Sequence, residues 1–402
     1  MKTKLLLMLS LCASLFISSC SDDKDSDETT VTYTVEVTYP DSYQQASASG
    51  VEVKLKNLSN NRQVSVITDE NGLAQFSDLA PGNYTLSASK ELNETQAEEL
   101  TGLANEIYLN ATVTQLSILG NGNKVVQLQA GVVGSWLIKE FYYSGAPNSY
   151  YFFDAFIEIY NNSTETLYAD KLLFGSTKSA SASNSSYYGF ITNGLQDAYL
   201  NCMYQIPGSG TDHPVAPGKS IVIAVDAINH KSDPNGNANS PVNLGMGVAD
   251  FEVFYNPNPS NIKDTDNPDV PNVNILYTYS ATAFDYMPGV FGSGLVIFRN
   301  DNPEALEKVT EPNSTSATLY VKVPKEDVID ALDAVANASI TPQYKRLPTN
   351  LDAGMSTVGS SYSGTSLRRK IKKEINNRKV LLDTNNSSND FEINTTPSPK
   401  GW

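Results

Sequence analysis

The chain is poor in the residues that most extracellular chemistry relies on, with three cysteines and two histidines among 402 residues. Cys12 and Cys20 sit at the N-terminal end, so Cys202, between Asn201 and Met203, has no disulfide partner and reads as a small buried hydrophobe. His213 and His230 fall in loops rich in Gly, Pro and Asn, which argues against a zinc enzyme or a Ser-His triad, since both need positioned imidazoles. Positive charge is also scarce: 28 Lys and Arg face 44 Asp and Glu, a formal charge of −16. Such a balance makes nucleic acid and an anionic headgroup surface poor candidates as partners, and no nucleic acid is expected. The one basic run, Arg368-Arg369-Lys370 with Lys372 and Lys373, reads as a solvated face. No nucleotide-binding loop, serine elbow or kinase signature is present, and no cofactor is expected.

What is present begins at the N-terminus. Lys2 and Lys4 precede an apolar run from Leu5 to Ile17, then Ser18, Ser19 and Cys20. A basic flank, a short apolar core and small residues make residues 1–19 a signal peptide, too short to serve as a stable span. The small residue ahead of Cys20 resembles a bacterial lipoprotein cleavage box, which implies that Cys20 becomes the lipid-bearing first residue, held to a membrane by acyl chains. Ser21, Asp22, Asp23 and Asp25 open an acidic tract to Glu28 that resembles the export signal of surface lipoproteins of the Bacteroidota. The expected location is the outer membrane, lipid-anchored and facing the exterior. Residues 20–30 form a disordered tether, because so acidic a tract cannot bury enough apolar surface to fold. Loss of residues 1–19 removes two lysines and leaves 26 basic against 44 acidic side chains, a formal charge of −18.

The remainder has the texture of an all-β protein: abundant Tyr and Asn, with Gly, Pro, Ser and Thr punctuating short apolar runs. Val31, Tyr33, Val35, Val37 and Tyr39 alternate with polar residues, the period of a half-buried strand. Further strands are expected at 51–57, 63–68 and 124–129, and residues 91–103 as a short helix or polar connection. Asp69 and Gly72 supply a tight turn, Phe76 returns to the core, and Pro81-Gly82-Asn83 turns the chain into Tyr84. This Thr-Asp-x-x-Gly-x-x-x-Phe turn followed by Pro-Gly-x-Tyr closely resembles the carboxypeptidase-regulatory-like or Cna-B-like β-sandwich over residues 31–130. The resemblance implies a stalk, spacer or adhesin module. Some Cna-B domains carry Lys-Asn isopeptide bonds; Lys54, Lys56 and Asn110 are of the right types, but the lysines read as ordinary surface residues.

A fresh pattern begins beyond residue 131. Ile138-Lys139-Glu140, Phe156-Ile157-Glu158-Ile159-Tyr160-Asn161, the Pro217-Gly218 turn into Ile221–Ala224, Val328–Val335, and Arg368 and Arg369 ahead of Asp390-Phe391 resemble, in order, the pieces of a lamin-tail domain. The expected fold is therefore all-β: two Ig-like or prealbumin-like β-sandwiches in tandem, at 31–130 and 131–402, the second enlarged by an insertion over about 227–288. The combination resembles a Bacteroidota lipoprotein family of uncharacterised function.

Three constellations bear on chemistry. Glu140 and Glu158 are paired carboxylates, read as structural with Arg368 or Arg369 as partners. Asp264, Asp266 and Asp269, and Asp383 with Asp390, are dense in the hard oxygens that calcium takes, though neither run has the EF-hand order. Tyr142, Tyr143, Tyr150, Tyr151, Tyr187 and Tyr188 are either packing residues or a stacking platform for a glycan or peptide. The expected function is that of a non-enzymatic binding or accessory lipoprotein, whose partner is a glycan, an envelope protein or a TonB-dependent transporter. The alternatives are a purely structural envelope scaffold or adhesin, and a carboxylate-based hydrolase.

Overall fold

The computed structural model describes residues 30–102, 107–132, 134–179, 188–255, 264–280, 283, 285–337, 344–375 and 377–402. Cys20, its acidic tract and Tyr187 lie outside them.

The front sandwich packs a three-stranded sheet on a five-stranded one. The first runs Leu73–Leu79, Val31–Thr38 and Gly122–Gln127, the second Gln63–Ile67, Glu52–Asn57, Gly82–Leu92, Ile107–Ile118 and Gln129–Val132. Val31, Tyr33, Val35 and Val37 are buried while the residues between them are partly exposed, so a period of two places one face of this strand in the core. The stretch expected as one last strand at 124–129 divides in two. Residues up to Gln127 run parallel to Val31–Thr38, and from Gln129 the chain crosses to pair with Ile107–Ile118 in the opposite sheet. Glu94–Thr101 is a helix, started by an Asn93–Gln96 capping box and stopped by Gly102 at φ +78°.

The Asp69–Gly72 turn holds this unit's geometry. Asp69 Oδ1 accepts the backbone N–H groups of Asn71 and Leu73, each at 2.9 Å. Gly72 has φ +78°, and a Cβ there would stand 2.5 Å from the Val37 carbonyl oxygen. Phe76 fills the core at 2% exposure, and Tyr84 donates its hydroxyl to the Ala80 carbonyl at 2.6 Å, closing the turn that contains Gly82. Lys54 pairs with Glu52 at 2.8 Å and Lys56 is exposed, whereas Asn110 donates its amide to the Thr384 carbonyl in the rear unit.

The rear sandwich is larger. One sheet runs Phe251–Glu252, Ser220–Ala224, Phe156–Asn161, Trp136–Tyr142, Ser366–Arg369 and Phe391–Asn394. The other runs Lys308–Thr310, Leu319–Val323, Ala198–Gln205, Leu173–Thr177, Gly294–Phe298, Val328–Val335 and Ser356–Thr357, with Asn274–Thr278 also paired to Ala198–Gln205. Ile138, Ile157, Ile159, Phe174, Tyr204, Ile223 and Ile297 form the core between the sheets. Every residue of Trp136–Tyr142 and of Phe156–Asn161 is buried. That is the mark of strands covered on both faces. The second cover comes from the insertion: Ala227, Val242, Leu244, Ala249 and Val270 pack on Tyr142, Phe156, Val222 and Ala224. Asx turns shape this layer, since Asp233, Asn237, Asn243 and Asn267 each accept, through a side-chain oxygen, the backbone N–H two residues on.

Gly72→Ala adds both left-handed strain and a clash with backbone, so a loss of about 2–4 kcal/mol in the front sandwich is expected in urea unfolding. Gly120→Ala, where a Cβ meets nothing within 4 Å, is the control and should lie within about 0.5 kcal/mol of wild type.

Candidate functional site

Burial on both faces of a sheet carries charged side chains into the protein interior, and most of them there are matched. Glu140 Oε2 accepts from Arg368 Nε and Nη2 at 3.2 Å, while its Oε1 accepts from Ser366 Oγ at 2.5 Å and Asn394 Nδ2 at 2.9 Å. The partner of Glu158 is not an arginine. Lys139 Nζ lies 2.7 Å from Glu158 Oε1, donates to the Gly401 carbonyl and stands over the Trp402 ring. A β-bulge explains the switch: Glu158 is paired with Glu140 and Ile159 with Ile138, so Lys139 is the extra residue, turned toward Glu158.

Arg369, 1% exposed, faces three carboxylates: Asp330 at 2.5 Å, Asp383 at 3.5 Å and Asp390 at 3.6 Å. Asp383 and Asp390 are therefore corrected as calcium candidates, because a guanidinium already sits among them. Asp390 takes further bonds from Thr384 N and Oγ1. Asp266 accepts from Asn272, and Asp269 is exposed.

The stacking platform is also corrected. Tyr142, Tyr143 and Tyr188 are at most 1% exposed, and their hydroxyls bond to Asp154 Oδ2, the Val335 carbonyl and the Tyr199 carbonyl. Tyr151 is half-buried and donates to His230 Nδ1 at 2.7 Å. The direction follows from the other ring nitrogen, because His230 Nε2 faces the Asp226 carbonyl, which can only accept. Burial pushes the His230 pKa down to about 4, so the ring is neutral. Tyr150 is exposed, edge-on to Tyr362. Neighbours in sequence thus point in different directions and build no common surface.

A different set of tyrosines does. Tyr204 on a central strand, Tyr255 after Phe251–Glu252, Tyr286 and Tyr279 from the end of the insertion, and Tyr320 on a neighbouring strand line a cavity of about 600 Å³, with Lys178 and Asp285 in its wall. Tyr204 and Tyr255 join hydroxyls at 2.6 Å, Tyr286 bonds Ser176 Oγ at 2.6 Å, and the Tyr204 and Tyr286 rings are 5.0 Å apart. Burial raises the pKa of all three, keeping them protonated. Cys202 also lines the cavity, and burial lifts its thiol to about 11, far from the thiolate a nucleophile needs.

Beside this cavity lies a group of acids that has no such matching. One carboxylate oxygen each from Asp226, Asp264 and Asp285 lie within 4.8 Å of one another, and all three residues are buried. Asp226 follows the strand Ser220–Ala224, Asp264 comes from the middle of the insertion and Asp285 from its end. Asp226 Oδ1 accepts Thr265 N and Asp264 Oδ2 accepts Tyr255 N, each at 3.0 Å. Among the described residues, Asp226 Oδ2, Asp264 Oδ1 and both oxygens of Asp285 have no hydrogen-bond partner. Among the described residues no ion pair reaches any of the three. Burial, then mutual repulsion, raises Asp226 and Asp285 well above the carboxylate range; burial lifts Asp264 to about 6 and the adjacent Glu252 to about 7. Sequence density singled out Asp264 but not Asp226 or Asp285. The missed signal is context: each is a lone acid between apolar neighbours, Val225 and Ala227, Phe284 and Tyr286.

These features define a class: an all-β protein of two sandwiches, the rear one presenting a tyrosine-lined cavity with an acidic flank. Residues 34–114 match the family model of the carboxypeptidase regulatory-like domain, and residues 216–398, which include Asp226, Asp264 and Asp285, match that of a protein of unknown function, DUF4876. Among solved structures the chain is similar to a DUF4876 family protein from Bacteroides thetaiotaomicron, at 28% identity over 92% of this chain and 96% of that one, with a TM-score of 0.59. It is also similar to a DUF3823 family protein from Parabacteroides merdae, at 12% identity over 50% of this chain and 82% of that one, and to a Streptococcal ancillary pilin, at 14% over 53% and 62%. Their TM-scores are 0.16 and 0.17. No curated protein matches.

Two outcomes follow from the charges. Arg369→Ala leaves three acids facing one another in the interior, and a loss of about 3–5 kcal/mol is expected in denaturant unfolding. In EDTA, Asp226, Asp264, Asp285, Glu252 and Asp154 hold protons in the folded chain that the unfolded chain releases near pH 4. Their folded pKa values are raised, so their contribution is full at low pH and is lost as pH rises through the folded values, about 6 for Asp264 and Asp154 and about 7 for Glu252. His230, held neutral, opposes this below about pH 6.5. The urea midpoint of the rear sandwich should rise between pH 8 and 6, and rise less in Asp264→Asn; a flat or falling profile contradicts the assignment.

Proposed function

We propose that the chain is a non-enzymatic binding module anchored by lipid at Cys20 to the outer face of an outer membrane, the front sandwich spacing the rear one from the bilayer. The observation that carries the binding role is the cavity of about 600 Å³ walled by Tyr204, Tyr255, Tyr279, Tyr286 and Tyr320. Its volume lies in the range of small-molecule sites, and tyrosine offers rigid apolar area with a polar tip at low entropic cost. Tyr279, 56% exposed, stands at the mouth, and Lys178 and Asp285 add an ammonium and a carboxyl group to the wall. A glycan or an extended peptide has the mixture of flat apolar faces and hydroxyl or amide groups that such a lining engages. An envelope protein such as a TonB-dependent transporter is the partner that a surface accessory protein of this kind would serve.

Calorimetry of the full chain in detergent against oligosaccharides and short peptides tests the ligand role. Tyr279→Ala is expected to weaken binding about tenfold or more, with the thermal midpoint unchanged. Absence of any binding across both panels, or equal binding by the variant, counts against the cavity. Radiolabelled palmitate incorporation lost in Cys20→Ser, and digestion by protease added to intact cells, test anchor and orientation.

A further inference from the structure

We propose that Asp226, Asp264 and Asp285 form a binding site for a hard divalent cation, calcium above all, at the point where the insertion closes over the end of the rear sandwich. The site goes beyond the ligand role of the cavity and does not depend on it.

Geometry is the first argument. Three carboxylates reach one point from three separate segments, with ligand oxygens within 4.8 Å of one another. A calcium ion holds oxygens at about 2.3–2.6 Å, so oxygens on opposite sides of it stand roughly 4.6–5.2 Å apart and the group fits around one ion. The second argument is what these oxygens lack. Asp285 is 3% exposed and, among the described residues, neither of its oxygens has a hydrogen-bond partner; Asp226 Oδ2 and Asp264 Oδ1 are equally unpartnered. Buried polar atoms are almost always satisfied, and four unsatisfied acceptors in one place mark a missing positive charge.

The contrast within the same domain sharpens this. Glu140, Glu158 and the trio of Asp330, Asp383 and Asp390 are also buried, and each is met by a lysine or an arginine. Glu252, beside the site, has both oxygens occupied by Ala227 N and Asn267 N, so it braces the loops and is no ligand. The donor set is all oxygen. His230, which could have offered nitrogen, has one ring nitrogen on Tyr151 and the other on the Asp226 carbonyl. Carboxylates alone select the calcium, magnesium and manganese class over zinc or copper. A bound ion would tie together the start, middle and end of the insertion and so set the wall of the cavity that Asp285 lines.

The test uses the full chain in detergent, stripped with EDTA and returned to calcium chloride at pH 7.5. One calcium per chain should bind, and at a hundred times the dissociation constant the midpoint of the rear sandwich should rise by about 5–10 °C. Terbium should bind in its place and luminesce through excitation of tyrosine, Tyr255 and Tyr286 being adjacent, with calcium quenching the signal by displacement. Asp285→Asn should lose both responses, yet in EDTA it should melt at or above wild type, since it relieves repulsion. Should that variant fail to fold, Asp264→Asn carries the same expectation. The proposal is overturned if calcium shifts neither midpoint nor terbium signal, if Asp285→Asn or Asp264→Asn responds as fully as wild type, or if zinc alone stabilises.

Discussion

The rear sandwich depends on one constraint: the central strands of its six-stranded sheet, Trp136–Tyr142 and Phe156–Asn161, are covered on both faces, so any charge they carry has to be answered inside the protein. The outer face of Trp136–Tyr142 and Phe156–Asn161 carries Lys139, Glu140 and Glu158 under a cover made of the insertion and the C-terminal residues up to Trp402. Taking such ions out of water costs several kcal/mol each, and their mutual attraction returns it only where geometry and further hydrogen bonds are good. The pair Glu140–Arg368, with Ser366, Asn394 and Ser398 on the remaining lone pairs, meets that condition, and beside it Glu158 pairs with Lys139 and accepts from Ser220 through Oε1. It also fixes register, because a slip of one residue would strand each ion opposite an apolar partner.

The same rule joins the parts of the chain. Arg369 draws Asp330, Asp383 and Asp390 from separate strands and loops onto one guanidinium, with the Phe391 ring against its face. Asp383 then takes the backbone N–H of Gly134, where the chain leaves the front sandwich. From the front unit, Asn110 and Thr112 donate to the carbonyls of Thr384 and Ala353, and Glu91 meets Lys372 at 3.1 Å. The seam is thus polar and built on the loop that the buried arginine holds in place.

What was legible in the sequence was local. Alternation in Val31–Thr38, the Asp69–Gly72 turn and the apolar runs of the rear strands depend on periods of two and on φ, which neighbouring residues set by themselves. That Glu140 and Glu158 serve structure could be read from their places in those strands. The partner of Glu158 could not, because simple alternation puts Lys139 on the opposite face from Glu140, and only the bulge brings it round. Tyrosine doublets misled for a related reason: consecutive residues of a strand or tight loop diverge, so Tyr142 and Tyr143 enter two different cores. The tyrosines that share a cavity are dispersed from Tyr204 to Tyr320, and only the topology collects them.

The acidic group follows the same logic one step further. Density of Asp and Asn in a run, the feature that drew attention to residues 264–269 and 383–390, measures how often a loop turns, since Asx side chains bond their own backbone. Asn267 and Asp383 do just that, each accepting the N–H two residues on. An acid that stands alone in apolar sequence has no such outlet, and Asp226 and Asp285 are of that kind. When the fold sets two of them beside Asp264 with four oxygens unmet, the deficit is a property of the tertiary structure alone. Three carboxylates brought together in the interior with no lysine or arginine among them, unlike the acids that Lys139, Arg368 and Arg369 meet, form the arrangement that a cation would complete.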